Sequence, residues 1–246
     1  MRTYAIGDIH GHIELLREVH AWIAADQAKH GAAPIVHVGD LVDRGPDSRG
    51  VIEYLRAGIE AGQDWVVLKG NHDRMFSNYI RDINYHDPCL RRDYGYLHPK
   101  IGGVATLASY GVKNAADRPL APVHAEAVAA VPEAHLTFLE ARPIYYQRGE
   151  VTFVHAGIRP GIRIEQQTED DLVWIRKGFL EDTRDFGDLI VHGHTALDAP
   201  TNYGNRVNID SSAAYGGPLT AVVLEGREVF NLLGSRREPI LPSARP

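Results

Sequence analysis

Five short apolar runs, at residues 3–6, 35–38, 65–68, 151–154 and 188–191, are rich in β-branched and other apolar side chains. Each gives way at once to a cluster of Asp, His, Asn and Gly. Continuous apolar runs of this length predict buried strands. Between the first two, Leu15, Leu16, Val19, Trp22 and Ile23 recur at helical spacing, and Gly31 with Pro34 marks the exit. After Pro46 and Asp47, the residues Val51, Ile52, Leu55 and Ile59 repeat that period. The first seventy residues therefore read as βαβαβ.

Residues 75–148 carry no strand pattern, and the spacing predicts a helical insertion lying over whatever the preceding loops form. Further on, 207–209, 219–224 and 229–233 read as strands separated by Gly216-Gly217-Pro218 and Glu225-Gly226-Arg227-Glu228 turns, completing a second, partly antiparallel sheet. The fold class expected is α/β with two mixed sheets, in one domain over 1–234. Residues 235–246, with three prolines and three arginines, are expected to form a flexible tail.

At 246 residues the chain is long enough to bury a substantial core. Its net charge of −6, from 26 basic and 32 acidic residues, argues against long nucleic acid as a partner. Cys89 is the single cysteine, so no intrachain disulfide is expected; it reads as a loop thiol, and a reducing compartment is the natural home. The sequence shows neither a signal peptide nor an apolar stretch of membrane-spanning length, which predicts a cytoplasmic protein with no membrane partner.

The chemistry lies in the clusters after the strands: Gly7-Asp8-Ile9-His10-Gly11, Gly39-Asp40-Leu41-Val42-Asp43-Arg44-Gly45, Gly70-Asn71-His72-Asp73, His155-Ala156-Gly157 and His192-Gly193-His194-Thr195. Open α/β sheets place ligands in loops just beyond the carboxyl ends of their strands. Asp8 and His10, two apart, point the same way on an extended segment and can grip one ion, with Asp40 bridging to a second held by Asn71, His155 and His194. Oxygen and imidazole donors without thiolate suit manganese, iron or zinc. Two such ions activate water and polarise a phosphoryl group. His72 is placed to protonate the leaving alkoxide, with Asp43 chosen to orient it and Asp73 as rival. Arg44 offers phosphate a bidentate fork, and Arg176 a second clamp or a structural ion-pair partner. His192 reads as loop support rather than a ligand. The remaining histidines read as surface or satisfied core residues, and Tyr215 as turn packing or a substrate contact.

Gly-Asp-Ile-His-Gly, Gly-Asp-Leu-Val-Asp-Arg-Gly and Gly-Asn-His-Asp, followed by His155 and Gly193-His194-Thr195, resemble the phosphoprotein phosphatase branch of the calcineurin-like metallophosphoesterases. The resemblance implies a four-layered α/β/β/α sandwich with two divalent metals, most often Mn2+. Asp8, His10 and Asp40 would hold one ion, and Asp40, Asn71, His155 and His194 the other. It further implies a His72–Asp43 acid dyad, phosphate binding by Arg44 and Arg176, and direct attack of a metal-bridging hydroxide. The expected activity is a serine/threonine phosphatase type of phosphomonoesterase, acting on a phosphorylated protein or a small phosphoester. The symmetrical diadenosine tetraphosphate hydrolases share most of these motifs but typically carry alanine where Asp43 stands, so Asp43 ranks them second. A non-catalytic interaction module ranks last, since no assignable position is missing.

Overall fold

The computed structural model describes residues 1–243. β1 (Arg2–Ile6), α1 (Ile13–His30), β2 (Ile35–His37), α2 (Ser48–Glu60) and β3 (Trp65–Val67) build the expected βαβαβ unit, its three strands parallel. Asp47 starts α2 by accepting a 2.8 Å hydrogen bond from Gly50 N, which satisfies one of the helix's free amides. The insertion holds α3 (Asn71–Arg81), α4 (Gly103–Ser109), α5 (Leu120–Ala130) and α6 (Glu133–Glu140). It ends in a strand that the pattern hides, β4 (Tyr145–Arg148). Its sequence, Tyr-Tyr-Gln-Arg, is only partly buried at the sheet edge and so lacks an apolar run. Then come β5 (Val151–Val154), α7 (Glu169–Trp174), β6 (Leu189–His192), β7 (Thr201–Asn202), β8 (Arg206–Asn208), β9 (Ala221–Glu225), β10 (Glu228–Leu233) and β11 (Arg236–Pro239).

The strands form a six-stranded sheet, β11-β10-β9-β1-β2-β3, and a five-stranded sheet, β4-β5-β6-β8-β7. Alternation along each strand sorts side chains into layers. Tyr4 and Ile6 of β1 and Val223 of β9 face the helices α1 and α2, while Ala5, Val222 and Leu224 face the second sheet. Val151, Phe153, Leu189 and Val191 fill the space between the sheets from the other side. Val154 and Ile190 turn outward to Leu172 of α7 and Phe179. Helix, sheet, sheet and helix thus stack in four layers, as expected.

Two expectations change. β9 and β10 join the first sheet, with β9 antiparallel to β1 through pairs such as Tyr4↔Val223. β9 is apolar on both faces, which suits an interior position in the first sheet. The tail is also more ordered than expected: β11 pairs with β10, and Arg237 Nε donates to the buried Asp26 (2.8 Å) while its Nη1 donates to Glu225 (2.9 Å). Charged side chains on an edge strand are a usual way to end a sheet. Residues 244–246 of the expected tail lie outside the described residues.

On the helix side of the first sheet, two buried histidines meet. His37 Nδ1 donates to the Val66 carbonyl (3.2 Å), its Nε2 lies 2.9 Å from His20 Nε2, and His20 Nδ1 lies 3.0 Å from the Tyr54 hydroxyl. Trp65 packs edge-on against both imidazoles. No helix among the described residues is long and apolar enough to cross a membrane.

Candidate metal centre and active-site cleft

The loops after β1, β2, β3, β5 and β6 converge. His10, Asp40, Asp43, Arg44 and His194 all adopt positive φ, between 45° and 73°. For side chains other than glycine this costs on the order of 1 kcal/mol or more each, a cost borne where the surrounding structure fixes the backbone. Two glycines in the motifs serve close approach: a Cβ at Gly193 would stand 1.9 Å from Asp8 Oδ1, and one at Gly70 would stand 2.2 Å from Asp40 Oδ1.

Two groups of donor atoms, each within 4.8 Å of one another, could hold an ion: His10, Asp40 and His72, and Asp40, His155 and His194. Asp40 is common to both. His155 Nδ1 donates to the Val38 carbonyl (3.0 Å), which turns Nε2 toward Asn71 Oδ1 (3.0 Å) and Asp40 Oδ1 (3.3 Å). A neutral imidazole would aim its lone pair at two oxygen acceptors, so the cluster requires a positive charge, either a proton or a metal. Burial opposes protonation, but Asp40, with Asp8 and Asp73 behind it, outweighs burial and pushes His155 up to about 9. Asp8 Oδ1 and His194 Nε2 are buried without a hydrogen-bond partner, and both are free to take a cation. The residues therefore fit a pair of cations held by oxygen and nitrogen donors.

His10 Nδ1 donates to the Val42 carbonyl (2.8 Å), leaving Nε2 in the site 3.4 Å from Asp40 Oδ2. Burial, followed by the charges of Asp210 and Asp40, pushes Asp8 well above the usual carboxylate range. Burial works the same way on Asp40, but His155 and His72 reverse it and hold that carboxyl well below. His72 belongs to the first cluster by distance, yet its bonds give it another place. Its Nδ1 donates to Asp43 Oδ2 at 2.7 Å, and its Nε2 accepts from Arg44 Nη2 at 3.0 Å. Asp8, near enough to Asp40 for their charges to interact, offers an oxygen with no partner.

The two rivals for orienting His72 separate cleanly. Asp73 is the third residue of α3, and its carboxylate accepts from Gly70 N (2.8 Å) and Leu41 N (2.9 Å), closing the helix start. Asp43 is fully buried, and its second oxygen accepts from Tyr96 Oη (2.6 Å) and Thr106 Oγ1 (2.7 Å). Neither Tyr96 nor Thr106 lies in one of the five motifs, and they reach Asp43 only through the fold of the segment that carries Gly102. A Cβ at Gly102 would lie 2.6 Å from Arg44 N, so this segment seats Arg44 as well.

Arg44 donates to His10 Nε2 through Nη1 (2.8 Å), and its Nε is buried and unpartnered. Arg176 Nη2 donates to the His194 carbonyl (3.1 Å). Both line a cleft of about 570 Å3 together with Asp40, Asn71, His72 and His194. Lys100, on the insertion, lines the same cleft and was not anticipated. Asp210, buried close enough to Asp8 to raise its pKa, is an acid that no motif announces. His192, the last residue of β6, is fully buried, bonds the Gly193 carbonyl through Nδ1 (3.0 Å) and packs edge-on to Phe179, outside both donor groups.

The chain is 28% identical to the asymmetrical bis(5'-nucleosyl)-tetraphosphatase PrpE of Geobacillus thermodenitrificans and 24% identical to that of Bacillus mycoides, each match covering 90% of both chains. Among solved structures, a diadenosine tetraphosphatase candidate shares the fold with a TM-score of 0.62, at 22% identity over 96% of this chain and 93% of that one. The cold-active protein-tyrosine phosphatase of a Shewanella species does so with a TM-score of 0.58, at 16% identity over 98% and 80%. A model of the calcineurin-like phosphoesterases matches residues 1–224, so the chain belongs to that family of phosphoester hydrolases.

Proposed function

We propose that this hydrolase cleaves dinucleoside polyphosphates, in a site where Asp8, His10 and Asp40 hold one divalent ion and Asp40, Asn71, His155 and His194 the other. The observation that carries the reading is a set of three cations in one cleft. Arg44, Arg176 and Lys100 all line it, and none forms an ion pair among the described residues. By contrast Arg159 and Arg91, at the same cleft, are neutralised by Asp171 and Asp93. Three free cations beside a metal pair are more positive charge than one phosphate monoester requires, and a chain of phosphates uses all of it. The names of the relatives support the same reading and reverse the order drawn from Asp43 alone.

When bound, the ions supply Lewis acidity and lower the pKa of the attacking water. Arg44 and Arg176 orient the phosphoryl group and counter charge as it builds on the oxygens. The His72 proton shared with Asp43 lies on Nδ1, which leaves Nε2 on the Arg44 side to carry a second proton to the departing oxygen. Asp43, held by Tyr96 and Thr106, stabilises the imidazolium this requires. A phosphomonoesterase reading, on phosphoserine, phosphothreonine or small esters, is favoured by that same dyad, because a positioned proton donor matters most to a poor alkoxide leaving group.

A panel of diadenosine tetraphosphate, phosphopeptides and an aryl phosphate, assayed with Mn2+, decides between them. The expected result is a higher kcat/KM for the dinucleotide, with chromatography resolving AMP plus ATP from two ADP, so that unequal and symmetrical cleavage are read directly. A phosphopeptide preferred over the dinucleotide restores the protein phosphatase reading.

A further inference from the structure

Beyond Arg44 the cleft opens into a second and larger cavity, of about 1290 Å3, between the insertion and the turn before β9. The two cavities share Arg44 and Lys100. The second is walled mainly by apolar groups, among them Leu97, Val104, Ala108 and Leu120, and is bounded by Tyr215. The Tyr215 ring is 67% exposed, in a turn fixed by left-handed Ser212 and Gly216, and the Arg44 guanidinium lies 5.2 Å from its centroid. An exposed aromatic held in a rigid turn with an arginine over it is a stacking platform in search of a flat partner. Leu120, half exposed, stands on the same cavity.

We propose that this cavity is a subsite for one nucleoside of the substrate, its base stacking on Tyr215 while the phosphate chain runs past Lys100 and Arg44 into the metal site. The inference rests on the dinucleoside polyphosphate reading and deepens it. Its occupant must be anionic where it meets the two shared cations and flat and apolar beyond them, which describes a nucleoside phosphate. The volume is ample for such a group. Among the described residues, the only charged side chain in the cavity besides Arg44 and Lys100 is Arg118, and it is engaged with Glu126 (2.6 Å) and the Lys113 carbonyl (2.9 Å). Beyond Arg44, Lys100 and the Tyr215 hydroxyl, no described side chain of the cavity offers a free polar group to read the edge of a base, so this subsite stacks bases with little choice among them.

The test compares wild type, Tyr215→Ala, Tyr215→Phe and the cavity-filling Ala108→Trp. Ala108 is exposed on α4 and Tyr215 is exposed on its turn, so neither change threatens the core. Three quantities are read with the Mn2+-loaded enzyme: KM for diadenosine and diguanosine tetraphosphate, kcat, and the inhibition constant of tripolyphosphate, a polyanion with no ring. Calorimetric binding of a methylene-bridged diadenosine tetraphosphate gives an equilibrium check. Stacking of one base predicts that Tyr215→Ala and Ala108→Trp raise KM and Kd about tenfold. The kcat and the tripolyphosphate constant stay unchanged, Tyr215→Phe behaves as wild type, and the two dinucleotides differ in KM by less than about threefold. If wild type hydrolyses the dinucleotides and the variants leave KM alone, the subsite is wrong and the substrate reading stands. If tripolyphosphate binding moves by the same factor as the dinucleotide, Tyr215 acts through Arg44 and the subsite is again wrong. If wild type cleaves aryl phosphate but no dinucleotide, the substrate reading fails and the subsite falls with it.

Discussion

Two groups of buried histidines lie on opposite sides of the first sheet's strand ends, and their surroundings could hardly differ more. His155 faces Asp40, with Asp8 and Asp73 close by, and these carboxylates carry it up to about 9 against the effect of burial. Among the described residues the polar partners of His20 and His37 are each other, a tyrosine hydroxyl and a carbonyl, and burial takes them down to about 2 and about 4. Burial is common to both groups, so the neighbouring carboxylates decide the outcome. One group is arranged to hold positive charge and the other to exclude it, and only the first has anything to offer a metal or a phosphate.

The sharpest way to sharpen that contrast is to strip divalent ions. Chelation is expected to lower phosphoester hydrolysis by about a thousandfold, several kcal/mol of transition-state stabilisation, with Mn2+ restoring it. Activity that survives full chelation, verified by metal analysis, would dissolve the distinction between the two groups.

Acid should act on the other group. In the unfolded chain His37 titrates near 6.5, and in the fold near 4. As pH falls through 6.5 the unfolded state binds a proton that the folded state refuses, so stability is lost between about 6.5 and 4 and is unaffected above. The loss amounts to about 3 kcal/mol for His37 by itself. Urea unfolding of the metal-free protein at pH 7 and pH 4.5 measures it. A His20→Phe, His37→Leu double variant is expected to flatten the dependence, and an unaltered slope would show that the pair is not kept neutral.

Next in size is His72. His72→Ala is expected to lower kcat about a hundredfold with metal content unchanged, whereas His20→Phe should leave kcat where it was. Equal losses in the two variants would remove any special role from the first. The smallest effect expected is that of Tyr96→Phe, which deletes one neutral donor to Asp43 and should cost about fivefold in kcat. Its signature is a displaced acid-base limb in the pH–rate profile, and a loss uniform across pH would mark Tyr96 as packing alone.

Much of the candidate site is legible because each polar motif follows a strand, so knowing the strands means knowing where Asp8, His10, Asp40, Asn71, His155 and His194 converge. What lay beyond reach came from residues whose partners are far away in sequence. Tyr96 and Thr106 reach Asp43 across 53 and 63 residues, with no spacing to announce them. Asp43 and Asp73 could not be ranked without seeing that the second is spent on Gly70 and Leu41. The placement of β9 and β10 differs from expectation because chain order is not spatial order: both strands return to the first sheet, β9 beside β1. The substrate reading proposed above depends on residues that spacing does not link. Asp43 was weighed as a single residue, whereas the three free cations exist as a set only once Lys100 of the insertion is folded over the cleft.

The left-handed backbone at His10, Asp40, Asp43, Arg44 and His194 has an evolutionary side. Glycine at any of these positions would relax the local chain by about 1 kcal/mol while deleting a side chain of the site. Drift toward stability therefore runs against the chemistry at five places at once. A descendant freed from the need to hydrolyse anything would be expected to shed these residues early, and glycines at these positions would serve as a fossil record of lost activity.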